Sequence, residues 1–186
     1  DPAVNLGQPA GAHVRLIMAF QDPGTLDGLL CPHRGLGREN TTVAVAAALA
    51  LAPPLVEFDV HLVRGELWMG HPPHDARTDA TVQQALALYT GTTVLPKVDL
   101  KITPQTALPA IQRLTDALAD RSPRPTLVNI DGDMSRIGAE GFMRAERWLV
   151  ASTGPAVLLN IDLCRYRGVS QARVHQHVRG LPRAPY

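Results

Sequence analysis

The stretch Leu55 to Pro73, LVEFDVHLVRGELWMGHPP, limits what this chain can fold into more than any other. Side chains alternate across a strand, so Glu57, Asp59 and His61 share one face while Val56, Phe58, Val60 and Leu62 share the other. The apolar face is made for packing. The other face would place two carboxylates and an imidazole together, and a charge withdrawn from water without a partner costs several kcal/mol. That face therefore calls for cations, whether basic side chains or a metal ion, unless it is an exposed edge whose acids are solvated. An Arg64-Gly65 turn then leads through Leu67, Trp68 and Met69 to His71, which brings a second imidazole to the same end of the strand.

The same unit repeats along the chain. Residues 1–27 read as an arm, rich in Pro, Gly and Ala at its start, with His13 to Phe20 a candidate strand and Asp22-Pro23-Gly24 a turn. Leu29 to Gly35 reads as a buried strand ending in His33, and Glu39 to Ala52 as an Ala/Leu-rich helix stopped by Pro53-Pro54. After the central stretch, Thr78 to Tyr89 carries apolar residues at helical spacing and Gly91 as a stop. Val94 to Ile102 alternates again, with Lys97, Asp99 and Lys101 on one face. A helix follows from Thr103-Pro104 to about Asp120, where Pro109 either bends it or marks its true first turn. Thr126 to Asp131 is a strand with Asn129 and Asp131 on one face, and Gly138 to Ala151 is an amphipathic helix. Ala156 to Leu163 is a strand with Asn160 and Asp162 on one face, and Ser170 to Val178 begins a last helix.

Alternating strands and helices argue a parallel sheet covered by helices. Polar residues fall toward the C-terminal strand ends, at His33, Glu57 with Asp59, Asp99 with Lys101, Asn129 with Asp131, and Asn160 with Asp162. In a (β/α)8 barrel those ends share one mouth. An open doubly wound sheet is the alternative, but no glycine-rich nucleotide loop supports it. Residues 1–186 read as one domain, with the strand-helix units over 28–180. About five to six units are visible, short of the eight in a barrel of typically about 250 residues. The expectation is an incomplete α/β TIM barrel whose open edge makes the chain poorly behaved and weakly active alone.

Composition excludes several classes. The 18 basic and 17 acidic residues give a net charge of +1, so no global field draws the chain to nucleic acid or an anionic membrane. No apolar run approaches the roughly 20 residues of a membrane span. The absence of a signal-peptide pattern leans the reading toward a soluble, cytoplasmic protein, with compartment and oligomeric state otherwise open. Cys31 and Cys164 lack metal-site spacing and read as small buried hydrophobes. His13, His175 and His177 read as surface residues, and His74 and Asp75 as a solvated loop.

His33-Arg34-Gly35, then Glu39-Asn40-Thr41, then Glu57-x-Asp59, then His71 resembles the signature of the glycerophosphodiester phosphodiesterase superfamily of phospholipase-C-like TIM barrels. Gly70-His71-Pro72-Pro73, Lys97 to Lys101 and Val128 to Asp131 resemble its menorin branch more closely. The resemblance covers about residues 28 to 165. Menorins do not usually keep His-Arg-Gly, and Asp99 stands where typical members carry glutamate. The resemblance implies attack by a neighbouring substrate hydroxyl, giving a cyclic phosphate before or instead of hydrolysis.

The chemistry also follows from the residues. Glu57, Asp59 and Asp99 form a hard oxygen-donor set suited to Mg²⁺ or Ca²⁺. Histidine, whose unperturbed pKa is about 6.5, can act as acid or base, which makes His33 and His71 the natural catalytic pair. Lys101 can neutralise a phosphate and Arg34 can contact one; Lys97 and Lys101 could instead pair with the acids as a structural cluster, and Arg34 could be a salt-bridge partner. Asn40 and Lys97 are candidate site-lining residues, and Asn129 and Asp131 line the site or cap the loop that follows. His61 lies on the same face in a supporting role. The expectation is a metal-dependent phosphodiesterase for a small phosphodiester; the alternatives are a non-catalytic menorin-like binding protein and an inactive fragment.

Overall fold

A computed structural model of the chain describes residues 34–35, 38–71, 80–119, 125–153, 156–161 and 163–181. The candidate strand His13 to Phe20, the catalytic candidate His33, Cys31, His74, Asp75 and Asp162 lie outside the described residues.

Strands β1 (Leu55–Val63), β2 (Glu66–Met69), β3 (Leu95–Ile102), β4 (Thr126–Gly132) and β5 (Val157–Asn160) form one sheet in the order β2-β1-β3-β4-β5. The pairs β1/β3, β3/β4 and β4/β5 are parallel. The sheet is not wholly parallel: β2 returns antiparallel along the C-terminal half of β1, pairing Val60 with Met69 and Val63 with Glu66. The reason is local. Arg64 (φ 50°) and Gly65 (φ 88°) both take positive φ, the conformation of a two-residue hairpin whose twist matches its strands.

Helices α1 (Thr42–Leu49), α2 (Val82–Ala87), α3 (Ala107–Ala119) and α4 (Met134–Thr153) pack against the strands, and α5 (Gln171–Arg179) follows a 3-10 turn at Leu163–Tyr166. The side chains of Thr41, Thr81 and Ser170 cap the N-termini of α1, α2 and α5 by accepting otherwise orphaned backbone N–H groups. At Thr81 the cap is reciprocal, because the Gln84 side chain accepts from the Thr81 N–H at 2.9 Å. Several helices are shorter than their composition suggests. Pro109 falls in the first turn of α3, where a missing N–H costs nothing. Helix α4 starts earlier than its periodicity indicates, through a turn that breaks at Gly138 (φ 65°).

The core lies between the sheet's apolar face and these helices. Val56, Phe58, Val60, Val98, Leu100, Val128 and Ile130 are buried there against Val45, Leu86, Ile111, Leu114, Phe142 and Leu149. A side chain the size of Phe58 gains about 1.5–3 kcal/mol from such burial. The hydroxyl of Tyr89 is buried with it and donates to the Val56 carbonyl at 3.0 Å, tying the segment after α2 to β1.

Candidate functional site

The parallel register aligns the polar residues of adjacent strands in rows. Glu57 lies beside Lys97; Asp59 beside Asp99, Asn129 and Asn160; His61 beside Lys101 and Asp131. The shared face expected from the alternation is present. Its place along the strands differs in part from the expectation, because Glu57, Asp59 and Asp99 occupy interior positions of β1 and β3, whereas His61, Lys101, Asp131 and Asn160 lie toward the strand ends. Paired backbone ladders hold all three rows, so each charge projects from a rigid position.

Asp59 is the centre of the cluster and is completely buried. Its Oδ2 accepts from Asn40 Nδ2 at 2.9 Å and lies 2.7 Å from Arg34 Nε, and its Oδ1 lies 3.1 Å from Lys101 Nζ. Asn40 also accepts the Asp59 backbone N–H at 2.9 Å, so one amide side chain clasps both ends of the residue. That clasp depends on a strained loop. Arg34 and Asn40 both take positive φ, at 60° and 55°, and the Asn40 N–H donates to the Arg34 carbonyl at 3.0 Å. Gly35 between them is held so closely to α1 that an added Cβ would sit 2.6 Å from the Ala44 carbonyl carbon. Arg34 continues outward to Glu39 at 2.9 Å, so it bridges the buried acid to an exposed one.

Lys101 is the cation shared by three acids. Its Nζ lies 2.8 Å from Asp99, 2.6 Å from Asp131 and 3.1 Å from Asp59. Burial disfavours its charge, but these carboxylates outweigh burial and hold the ammonium above its usual range. For Asp99 burial wins over Lys101 and pushes the carboxyl up. For Asp131 burial is overcome by Lys101 and Arg165, which hold it below the usual carboxylate range. Glu57 is buried and accepts from Lys97 at 3.3 Å.

Oxygens of Glu57, Asp59 and Asp99 lie within 4.8 Å of one another. Asn129 donates to Asp99 Oδ1 at 3.1 Å and keeps a buried carbonyl oxygen with no hydrogen-bond partner among the described residues. Three carboxylates and an orphaned amide oxygen are hard donors, and they fit Mg²⁺ or Ca²⁺. Lys101 would have to give ground to such an ion.

The histidines His61 and His71 differ. A backbone carbonyl can only accept, so His61 donates from Nδ1 to the Gly70 carbonyl at 2.9 Å. Gly70 (φ 137°) in turn donates its N–H to the Asp59 carbonyl at 3.0 Å. His61 therefore anchors the residue that precedes His71, and His71 stands half-buried at the end of β2.

Two features escape the sequence reading. Arg165 is buried, donates to Asp131 at 3.1 Å and lies over the Phe142 ring at 5.0 Å; no local pattern marks it. His177, read as a surface residue, is buried at 4% exposure and lies 2.6 Å from the equally buried Glu146. A signal existed for that pair. Glu146 falls on the stripe Phe142, Glu146, Leu149, and His177 on Val174, His177, Leu181, so both occupy apolar positions of their helical period. His175 is exposed as expected.

The chain matches no protein-family model, and no curated protein matches it. Its fold is similar to that of a phosphodiesterase from Oleispira antarctica, solved in complex with the product sn-glycerol-3-phosphate. The TM-score is 0.58 at 14% identity, over 81% of this chain and 72% of that one.

Proposed function

We propose that the chain is a metal-dependent phosphodiesterase acting on a glycerophosphodiester or a related small phosphodiester, built on a TIM barrel of the phospholipase-C-like type. The observation that carries this reading is the convergence of Glu57, Asp59 and Asp99 on one face, with Lys101 beside them. The fold similarity to a phosphodiesterase solved with a glycerol phosphate agrees with it. The placement among menorins rests on the motifs alone.

Glu57, Asp59 and Asp99 would hold a Mg²⁺ or Ca²⁺ ion, which when bound supplies a positive charge to clamp the phosphate and stabilise charge on its oxygens. Lys101 adds a fixed cation beside the phosphate, and Asp131, itself held by Arg165, keeps its ammonium in place. Arg34 is already turned to Asp59 and contributes positive charge next to it. His71 and His33 take the acid and base roles, one removing the proton from the attacking hydroxyl and the other protonating the leaving oxygen. His61 fixes the backbone just before His71 through the Gly70 carbonyl. Asn40 holds Asp59, Asn129 holds Asp99, and Lys97 balances Glu57.

One observation favours the second reading, a non-catalytic barrel. Each acid of the cluster already has a basic partner: Glu57 has Lys97, Asp59 has Arg34 and Lys101, Asp99 has Lys101, and Asp131 has Lys101 and Arg165. A face closed by its own ion pairs needs no metal.

A screen of Mg²⁺ and Ca²⁺ against glycerophosphodiesters and lysophospholipids separates the readings, with both glycerol phosphate and cyclic phosphate monitored. The 186-residue chain and any longer chain that contains it should both be assayed. Divalent-dependent cleavage that disappears in Glu57→Gln and falls by about two to four powers of ten in His71→Ala is expected. Absence of both divalent binding and cleavage would favour the ion-paired barrel.

A further inference from the structure

A second cluster of titratable groups lies between α4 and α5 and shares no residue with the acidic face. Glu146, from the buried stripe of α4, is 1% exposed. Both its oxygens lie 2.6 Å from the Tyr166 hydroxyl, and its Oε2 lies 2.6 Å from His177 Nε2. The other imidazole nitrogen, Nδ1, faces Arg147 Nη1 at 3.4 Å. A guanidinium can only donate, so Nδ1 offers its lone pair there and the ring proton sits on Nε2, directed at Glu146.

Above His177 the helices part into a cleft of about 280 Å³, lined by Met143, Arg147, Arg173, Gln176, His177 and Gly180. Its charged groups are unevenly matched. Arg173 is paired with the exposed Glu140, through Nε at 2.8 Å and through Nη2. Glu146 is spent beneath the cleft on Tyr166 and His177. Arg147 is exposed and has no carboxylate partner among the described residues. Helix α5 contains no acid, and Arg144, although close in sequence, does not line the cleft. Among the described residues no hydroxyl, thiol, amine or carboxylate side chain lines the cleft, so it is equipped to bind an anion.

We propose that this cleft binds a small oxyanion carrying an ionisable O–H, either free phosphate or a phosphomonoester. Arg147 supplies a charge-assisted donor pair, and Arg173 and Gln176 supply further N–H groups. The imidazole decides which anions fit. When Arg147 turns from Nδ1 to the anion it bares that lone pair: an aprotic anion then meets it directly, whereas inorganic phosphate, and a phosphomonoester in its monoanion form, brings its own O–H. That O–H either donates to Nδ1 or transfers its proton there. In the second case the phosphate becomes a dianion, and the new imidazolium lies between it and the Glu146 carboxylate. The proton is conserved and no other reactant is needed. Sulfate, which carries no proton at neutral pH, cannot do either.

The test is a titration of the metal-free full chain, in chelator near pH 7, with inorganic phosphate, sn-glycerol-3-phosphate and sulfate at constant ionic strength. Binding is followed by calorimetry and by the imidazole ¹H–¹⁵N resonances of His177. Phosphate should shift those resonances, and sulfate should bind at least about tenfold more weakly. Arg147→Ala should weaken phosphate about tenfold or more, with partial recovery in Arg147→Lys, while Arg144→Ala should leave affinity unchanged. Tighter binding of glycerol phosphate would identify the phosphomonoester as the ligand, and equal or weaker binding would identify free phosphate. Three results would each overturn the proposal: equal affinity for sulfate, wild-type affinity in Arg147→Ala, or no response of His177 up to about 10 mM of either phosphate ligand.

Discussion

The two faces of the central strands are built from the same backbone and obey different rules. On the helix side, Val56, Phe58, Val60, Val98, Leu100, Val128 and Ile130 are interchangeable in kind: any close-packed set of similar volume would fill that space. On the opposite side Asp59 has four specified partners, Asn40 through side chain and backbone, Arg34, Lys101 and the Gly70 N–H on its carbonyl. Apolar burial is non-directional and tolerates substitution. A buried ion cluster is directional, so removing one member strands the others.

The largest expected effects test that contrast directly. Asp59→Ala and Phe58→Ala should each destabilise the chain by about 3–5 kcal/mol, the first by leaving buried cations unpaired and the second by opening a cavity. Thermal melts with and without Mg²⁺ or Ca²⁺ separate the causes. A divalent ion that binds the native state raises the melting temperature, so the rise should survive in Phe58→Ala and vanish in Asp59→Ala. A rise that persists in Asp59→Ala would move the metal away from this face.

Lys101→Met comes next. Removing a cation 2.8 Å from Asp99 and 3.1 Å from Asp59 should tighten divalent binding by about tenfold or more while lowering turnover in the proposed phosphodiesterase reaction. Isothermal titration and a turnover assay read the two effects separately, and weaker metal binding in the variant would make Lys101 a support for the ion and not its competitor.

A smaller effect should appear in acid. Asp131 titrates below its ordinary value of 3.8, because Lys101 and Arg165 overcome the effect of its burial. Its contribution to stability is therefore present above pH 3.8 and lost as pH falls through the lower native value. Asp99 has the opposite sign. Burial raises its native pKa, so stability falls as pH climbs from 3.8 to that higher value and stays level beyond it. Urea midpoints measured from about pH 2 to 6 should show a shallower acid loss in Asp131→Asn than in wild type. The smallest effect belongs to neither face: breaking the exposed Arg113–Asp116 pair at 3.9 Å with Asp116→Asn should change stability by less than about 1 kcal/mol.

Much of the site was legible before any coordinates. Glu57 and Asp59 follow from alternation, as do Asp99 and Lys101, because a strand's period of two is local and survives in any tertiary context. The residues around them were harder to read. Arg34 was read as either a phosphate contact or a salt-bridge partner, and only the folded loop turns its Nε to Asp59. Lys101 was expected near phosphate, yet Asp131, which it contacts at 2.6 Å, lies 30 residues away in sequence. Arg165 has no periodic pattern around it, and it reaches Asp131, 34 residues away in sequence, from the 3-10 turn at Leu163–Tyr166. His177 falls at an apolar position of its helical period, but the polar composition of α5 hides that signal, and its buried partner Glu146 lies 31 residues away in sequence.

The sequence by itself determined which side of each strand is chemical, the order of strands and helices along the chain, and where α5 starts. It determined these because alternation, capping and turn residues act over a few residues. Tertiary structure decided the register that sets Asp59 beside Asp99 and Lys101 beside Asp131, the antiparallel return of β2, and the burial of Glu146 against His177 and Tyr166. Those outcomes depend on contacts between distant segments, whose free energies become available only when the whole sheet and its helices close together.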